Sequence, residues 1–227
     1  MGGDLRGGVS RRPPAGVEVV IVVSGLMRSG TSALARMLAQ MGVVMGESML
    51  MPHAGSDAEW EDVALSSSLT GHALAGTMPT LDELRAYIVS RRSHHAEVSS
   101  ALRVHREWGV KTPMAVLYLD ELREAAAAEG EPVTLILTER DLRGTLDSLR
   151  RFGSFVHDEH RYIEMMFGLQ SRLVDAREKH ADDAALVVDI SETWSDPKGV
   201  VGRLAEACGV RRFSWSDAVR GIEDRRG

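Results

Sequence analysis

Strongly apolar segments alternate with amphipathic segments along the chain. Residues 17–24 read VEVVIVVS, a mostly β-branched run that is typical of a central parallel strand covered by helices on both sides. Runs at 133–138 and 186–190 predict two more strands, and residues 108–110 predict a short fourth strand. Between them the spacing of apolar residues predicts helices over residues 31–41, 60–74, 81–89, 114–128, 141–152, 161–180 and 197–208.

This order of elements predicts the fold class. Strands that alternate with helices of this length form a mainly parallel sheet with right-handed crossovers. The chain shows no internal repeat and no domain linker, so we predict a single three-layer α/β domain over residues 16–227. Residues 1–15 are rich in Gly, Pro and Arg and have too little apolar surface to order themselves, which predicts a flexible leader.

Composition narrows the functional classes. The 227 residues carry 27 basic and 33 acidic side chains, a net charge of −6, which argues against broad nucleic-acid binding but leaves room for a local basic pocket. A lone Cys208 excludes an internal disulfide and a cysteine zinc cluster, and no His/Cys/carboxylate spacing indicates a metal site. We find neither a signal peptide nor an apolar run of the roughly 18 residues that a membrane span needs. The expected location is therefore cytoplasmic, with no membrane partner.

A glycine-rich segment follows the first predicted strand. Residues 25–32 read GLMRSGTS and lead directly into a helix, an arrangement that directs backbone N–H groups and a helix N-terminus at one anion. The glycines match those of a Walker A loop, but Thr31 stands where that motif has its lysine. The alternative is a plain turn in which Thr31 and Ser32 only cap the helix.

The wording of this segment resembles the 5′-phosphosulfate loop of sulfotransferases that use 3′-phosphoadenosine 5′-phosphosulfate (PAPS). That resemblance implies a P-loop-NTPase-like sulfotransferase fold. It places Arg28 at the family's lysine or arginine position. It also assigns phosphate binding to four following residues: Ser29, Gly30, Thr31 and Ser32.

The family's second nucleotide signature is an arginine at the end of a strand and a serine eight positions later, both on the 3′-phosphate. Arg140 and Ser148 have this spacing after the strand at 133–138. We expect Leu142, Leu146 and Leu149 to form the buried stripe of the following helix, and Gly144 to clear room beside the Ser148 hydroxyl. The resemblance thus extends over two turns on two different strands.

The resemblance implies in-line transfer of a sulfuryl group from PAPS to a hydroxyl or amine of a small-molecule acceptor, without a metal. Arg28 is expected to stabilise the departing 5′-phosphate. Glu61, in an aromatic-Glu-Asp step, is the first candidate for the general base, with Glu47 and His72 as alternatives. Lys111, in a Lys-Thr-Pro step like that of heparan-type sulfotransferases, is expected beside the transferred group.

Two other functions are compatible with the sequence. A P-loop small-molecule kinase would use ATP and Mg²⁺, and Lys111 or Arg28 would have to replace the missing Walker lysine. A non-catalytic homologue would bind the same nucleotide without turnover. Neither the identity of the acceptor nor the oligomeric state follows from the sequence.

Overall fold

The computed structural model describes residues 19–45, 62–102, 107–151, 159–179 and 186–223. Its described strands form one five-stranded sheet, and every pairing is parallel, which confirms the predicted α/β domain with a sheet flanked by helices. The spatial order of the strands is β2-β3-β1-β4-β5. Along the chain they are β1 (Val20–Gly25), β2 (Val44–Met45), β3 (Trp108–Lys111), β4 (Val133–Glu139) and β5 (Leu186–Asp189).

Helices connect these strands and cover both faces of the sheet. A 3₁₀ helix (Pro113–Leu117) follows β3 directly. The described α-helices are α1 (Thr31–Gln40), α2 (Val63–Ala75), α3 (Leu81–Leu102), α4 (Leu119–Ala128), α5 (Leu142–Arg151), α6 (Glu159–Lys179), α7 (Ile190–Ser195), α8 (Pro197–Cys208) and α9 (Trp215–Glu223).

The position of β1 between two layers of helices explains its apolar sequence. Val20 and Val22 face a core shared with α3, α4 and α6, whereas Ile21 and Val23 face a second core shared with α1, α8 and α9. Successive side chains of a strand point to opposite faces, so a strand covered on both sides needs apolar residues at every position. All six residues of β1 are buried.

Helix α3 is much longer than predicted. The sequence predicts a helix over 81–89, but α3 continues to Leu102 and includes His94 and His95. Its inward positions keep helical spacing through Leu84, Ile88, Arg91 and His95, all of which are buried. The prediction ended early because the inward residues become polar halfway along the helix.

The other differences lie at boundaries and in short elements. The predicted helix over 114–128 is divided at Tyr118 into the 3₁₀ helix and α4. Ile190 was assigned to a strand but begins α7, because the Asp189 carboxylate accepts a hydrogen bond from the Ser191 N–H and caps the helix. Strand β2 and helices α7 and α9 were not predicted.

Replacement of Ile21 by Ala tests the role of β1 in the core. The side chain is fully buried, so the cavity should lower the free energy of unfolding by about 2–5 kcal/mol in urea denaturation. Val174→Ala, at an exposed position of α6, is the matched control and should change it by less than about 0.5 kcal/mol. Equal effects of the two substitutions would contradict the assignment of the core.

Candidate active site

The glycine-rich segment forms a tight loop between β1 and α1. The loop (residues 25–30) closes on itself because the Ser29 N–H donates to the Leu26 carbonyl over 3.1 Å. The N-cap of α1 is Gly30, so Thr31 and Ser32 lie in the first turn of the helix and not at the N-cap position. The first N–H groups of a helix have no intrahelical acceptor. The N-terminus of α1 is therefore suited to an anion.

Two glycines are required by contacts with neighbouring elements. Gly25 has a φ of +148°, and a Cβ there would lie 2.2 Å from the Thr138 hydroxyl oxygen and 2.6 Å from the Thr138 carbonyl oxygen. Gly30 has a φ of +97°, and a Cβ there would lie 1.9 Å from Cδ1 of Ile190. The loop is thus packed between the end of β4 and the start of α7, with no space for side chains at these positions.

The two predicted nucleotide signatures meet at Arg28. The Arg28 Nε donates to the Ser148 hydroxyl over 3.2 Å, and an Arg140 guanidinium nitrogen donates to the Arg28 carbonyl over 3.1 Å. Arg28 has a φ of +64°, a left-handed conformation that costs a non-glycine residue energy and is common at functional sites. Residues predicted to bind opposite ends of one nucleotide are therefore in direct contact.

Ser29 is bonded within the loop and to β4. Its side chain is fully buried, and its hydroxyl donates to the Leu26 carbonyl over 2.6 Å. The same oxygen lies 2.5 Å from the hydroxyl oxygen of Thr138 on β4. Its N–H and its hydroxyl are both engaged inside the protein, so Ser29 stabilises the shape of the loop.

Helix α5 turns polar residues inward. Thr145 and Ser148 are buried, whereas Leu142 and Leu146, which we expected to form the buried stripe, are partly exposed. Gly144 also has a different role from the one predicted. A Cβ there would lie 2.7 Å from the Asp141 carboxylate and 3.0 Å from Nε of Arg140, so this glycine makes room for the side chains of Asp141 and Arg140 rather than for Ser148.

Lys111 lies at the carboxyl end of β3, next to the strand that leads into the loop. It pairs with Val23 in the sheet register and is only 2% exposed. The next residues are bonded to the end of β1, since the Thr112 N–H donates to the Val23 carbonyl over 3.2 Å and the Ser24 hydroxyl donates to the Pro113 carbonyl over 3.2 Å. The sheet edge predicted for Lys111 is the one that carries the loop.

A buried ion pair fixes the start of α2 against Lys111. The Asp62 N–H donates to the Lys111 carbonyl over 3.1 Å, and the Asp62 carboxylate caps α2 by accepting from the Leu65 N–H. Its second oxygen lies 2.9 Å from Nε of Arg91 on α3. Burial, and then the Asp62 charge, hold the pKa of the neighbouring Tyr87 hydroxyl well above its usual value. This pair was not predicted.

Only one of the three candidates for the general base lies among the residues that the structure describes. Glu61 and Glu47 lie outside the part of the chain that the structure describes. His72 lies near the end of α2, where its Nδ1 is 2.9 Å from the Thr77 hydroxyl and its Nε2 is 3.6 Å from the Glu83 carboxylate. These contacts link His72 to the turn after α2 and to the first turn of α3.

Comparison with known proteins identifies the family. A model of the sulfotransferase family matches residues 20–217. The chain belongs to this family. Among solved structures, the sulfotransferase STF1 from Mycobacterium tuberculosis has a similar fold, with a TM-score of 0.51 and 17% sequence identity over 91% of this chain and 71% of that chain. A search of curated proteins finds no match to this sulfotransferase chain.

Membrane-spanning helices and metal-binding clusters were sought within the described residues. None of the helices within them is long and apolar enough to cross a membrane. In the same parts of the chain no group of three His, Cys, Asp or Glu side chains is arranged to hold a metal ion. Cys208 is buried on α8, and burial raises the pKa of its thiol.

Gly25→Ala tests how closely the loop packs against β4. The added Cβ would meet both the hydroxyl and the carbonyl of Thr138 in a backbone conformation that alanine rarely adopts, so we expect a loss of about 1–3 kcal/mol in stability. Gly168→Ala on α6 is the control, because a Cβ there meets nothing within 4 Å and alanine favours a helix. If Gly25→Ala had the same melting temperature as the wild type, the tight packing of the loop against β4 would be refuted.

Proposed function

We propose that this sulfotransferase moves a sulfuryl group from PAPS to a hydroxyl or amine of a small-molecule acceptor. The observation that supports it best is the contact of Arg28 with Ser148 and Arg140. These contacts bring two arginines to the loop that leads into α1, and positive charge beside a helix N-terminus favours the binding of an anion. A nucleotide with one phosphate at the 5′ position and another at the 3′ position of its ribose provides two anionic groups for this region.

The residues present fit this donor. The N-terminus of α1 and the backbone of the loop would hold the 5′-phosphate, and Arg28 is close enough to share its charge. Arg140, directly after β4, and Ser148, nearly two turns into α5 on its inward face, would hold the 3′-phosphate. Thr31 and Ser32, in the first turn of α1, would add hydroxyl groups to the 5′-phosphate site.

The reaction is an in-line displacement at sulfur. The bond between sulfur and the 5′-phosphate oxygen breaks while a bond from sulfur to the acceptor oxygen or nitrogen forms, and negative charge grows on the leaving phosphate. Arg28 and the N–H groups of α1 lie where they would stabilise that charge, which is the main contribution expected from an enzyme in a group transfer of this kind. The acceptor proton passes to a base.

On the acceptor side we propose Lys111 and Glu61. Lys111 ends the strand next to β1, so it would approach the sulfuryl group from the side opposite Arg140. Asp62, which directly follows Glu61 in the chain, is bonded to the Lys111 carbonyl. This bond supports a site in which the Glu61 carboxylate receives the acceptor proton close to Lys111.

Thermal-shift measurements with different nucleotides test the donor class. We expect 3′-phosphoadenosine 5′-phosphate (PAP) to raise the melting temperature without Mg²⁺, and ATP with Mg²⁺ to have a smaller effect. Stabilisation that requires ATP and Mg²⁺ would favour the small-molecule kinase instead. Binding of PAP without sulfuryl transfer to any acceptor in a panel would favour the non-catalytic homologue.

Arg140→Ala should weaken PAP binding by about 1.5–3 kcal/mol in calorimetry, because it removes a charge-assisted contact to the 3′-phosphate. Binding of 5′-AMP, which lacks that phosphate, should change much less. Arg172→Ala, at an exposed position of α6, is the control and should bind both nucleotides like the wild type. Equal losses for PAP and 5′-AMP would mean that Arg140 acts only through its bond to the Arg28 carbonyl and not on the 3′-phosphate.

Glu61→Gln should lower kcat about 100-fold or more in a sulfate-transfer assay and leave PAP affinity unchanged, because the amide cannot accept the acceptor proton. The panel of acceptors is first screened with the wild type, and the assay then uses an acceptor that the wild type turns over. Glu97→Gln, at an exposed position of α3, is the matched control and should retain full activity. Full activity of Glu61→Gln would assign the base to another residue.

A further inference from the structure

Thr138 is a buried polar residue that the proposed chemistry leaves without a role. It lies near the carboxyl end of β4, two residues before Arg140, and is fully buried. The rest of the strand interior is apolar apart from Thr134. A buried hydroxyl is costly unless it is hydrogen-bonded, so its partners indicate why it is there.

The hydrogen-bond partners of Thr138 are Ser29 in the loop of residues 25–30, called the phosphate loop below, and Ser24, the residue before that loop. Its hydroxyl oxygen lies 2.5 Å from the Ser29 hydroxyl oxygen and 3.3 Å from the Ser24 carbonyl oxygen, to which it can donate. The Ser29 hydroxyl is also bonded to the Leu26 carbonyl. Either hydroxyl can donate in the bond between Ser29 and Thr138, and the pair as a whole is anchored to the Leu26 and Ser24 carbonyls.

This chain of hydrogen bonds joins the two halves of the nucleotide site. It runs from β4 through Thr138 and Ser29 to the turn at Leu26, and it fixes the residue that directly follows Arg28. The close packing of Gly25 against Thr138 adds a steric contact at the same point. The Thr138 hydroxyl therefore helps to position the loop relative to Arg140, together with the bond from Arg140 to the Arg28 carbonyl.

We propose that Thr138 is a positioning residue for nucleotide binding, acting through Ser29 to hold the phosphate loop in register with the Arg140 turn. The proposal rests on the proposed function. Thr138 touches no phosphate in this account. Its substitution should therefore weaken the contacts of the loop with the 5′-phosphate, which PAP and 5′-AMP share.

Two substitutions separate positioning from stability. Thr138→Val keeps the size of the side chain and removes the hydroxyl, whereas Thr138→Ser keeps the hydroxyl and removes a buried methyl group. We expect Thr138→Val to lose about fivefold or more in affinity for both PAP and 5′-AMP, the equivalent of one hydrogen bond. We expect Thr138→Ser to bind both within about twofold of the wild type, even if it melts at a lower temperature.

The control is Thr134→Val, which removes a buried hydroxyl from the same strand at the end away from the loop. It should leave both affinities unchanged. Affinities are measured by calorimetry on folded protein, with the melting temperature of each variant recorded alongside. A purely structural role predicts that affinity falls in the order in which stability falls, whichever group is removed.

Two results overturn the proposal for Thr138 alone: wild-type affinity in Thr138→Val, or equal losses in Thr138→Ser and Thr138→Val, while the wild type binds PAP. A wild-type protein that does not bind PAP overturns the proposed function and this proposal with it. Measurement of the wild type first therefore distinguishes the two failures.

Discussion

Parallel pairing of β1 with β4 is the constraint on which the site depends. Six residues of each strand are in register, from Val20 opposite Val133 to Gly25 opposite Thr138, so both strands end at the same level. The chain turns after β1 into the phosphate loop and after β4 into the Arg140 turn. In a parallel sheet these turns must emerge at one edge, where ligands of open α/β sheets bind. The contacts of Arg28 with Ser148 and Arg140 are a direct result.

The fold could be predicted because its core is patterned simply. The β-branched run of β1 and the apolar run of β4 are buried on both faces, β5 is partly buried, and α1 and α8 carry regular apolar stripes. The prediction failed where buried residues are polar. Arg91 and His95 continue the inward stripe of α3 but resemble surface residues in the sequence, because the Asp62 partner of Arg91 lies 29 positions earlier.

The candidate site could be predicted in its residue types and less well in its contacts. Arg28, Arg140 and Ser148 were identified from the resemblance to two sulfotransferase signatures, and the structure brings them together. The positions of Ser29 and Gly144 depend on neighbours that spacing does not reveal, namely Thr138 for the first and the Arg140 side chain for the second. A threonine at the end of an apolar strand was the available signal for Thr138, and a strand pattern alone does not say what its hydroxyl faces.

The left-handed backbone of Arg28 has a consequence for the thermodynamics of ligand binding. Arg140 holds the Arg28 carbonyl, and Ser29 is bonded within the turn, so the loop acquires its shape from intramolecular contacts. The conformational entropy lost in ordering it belongs to folding, not to association. We therefore expect anion affinity at this edge to be governed by charge and by ionic strength, with little contribution from loop rearrangement.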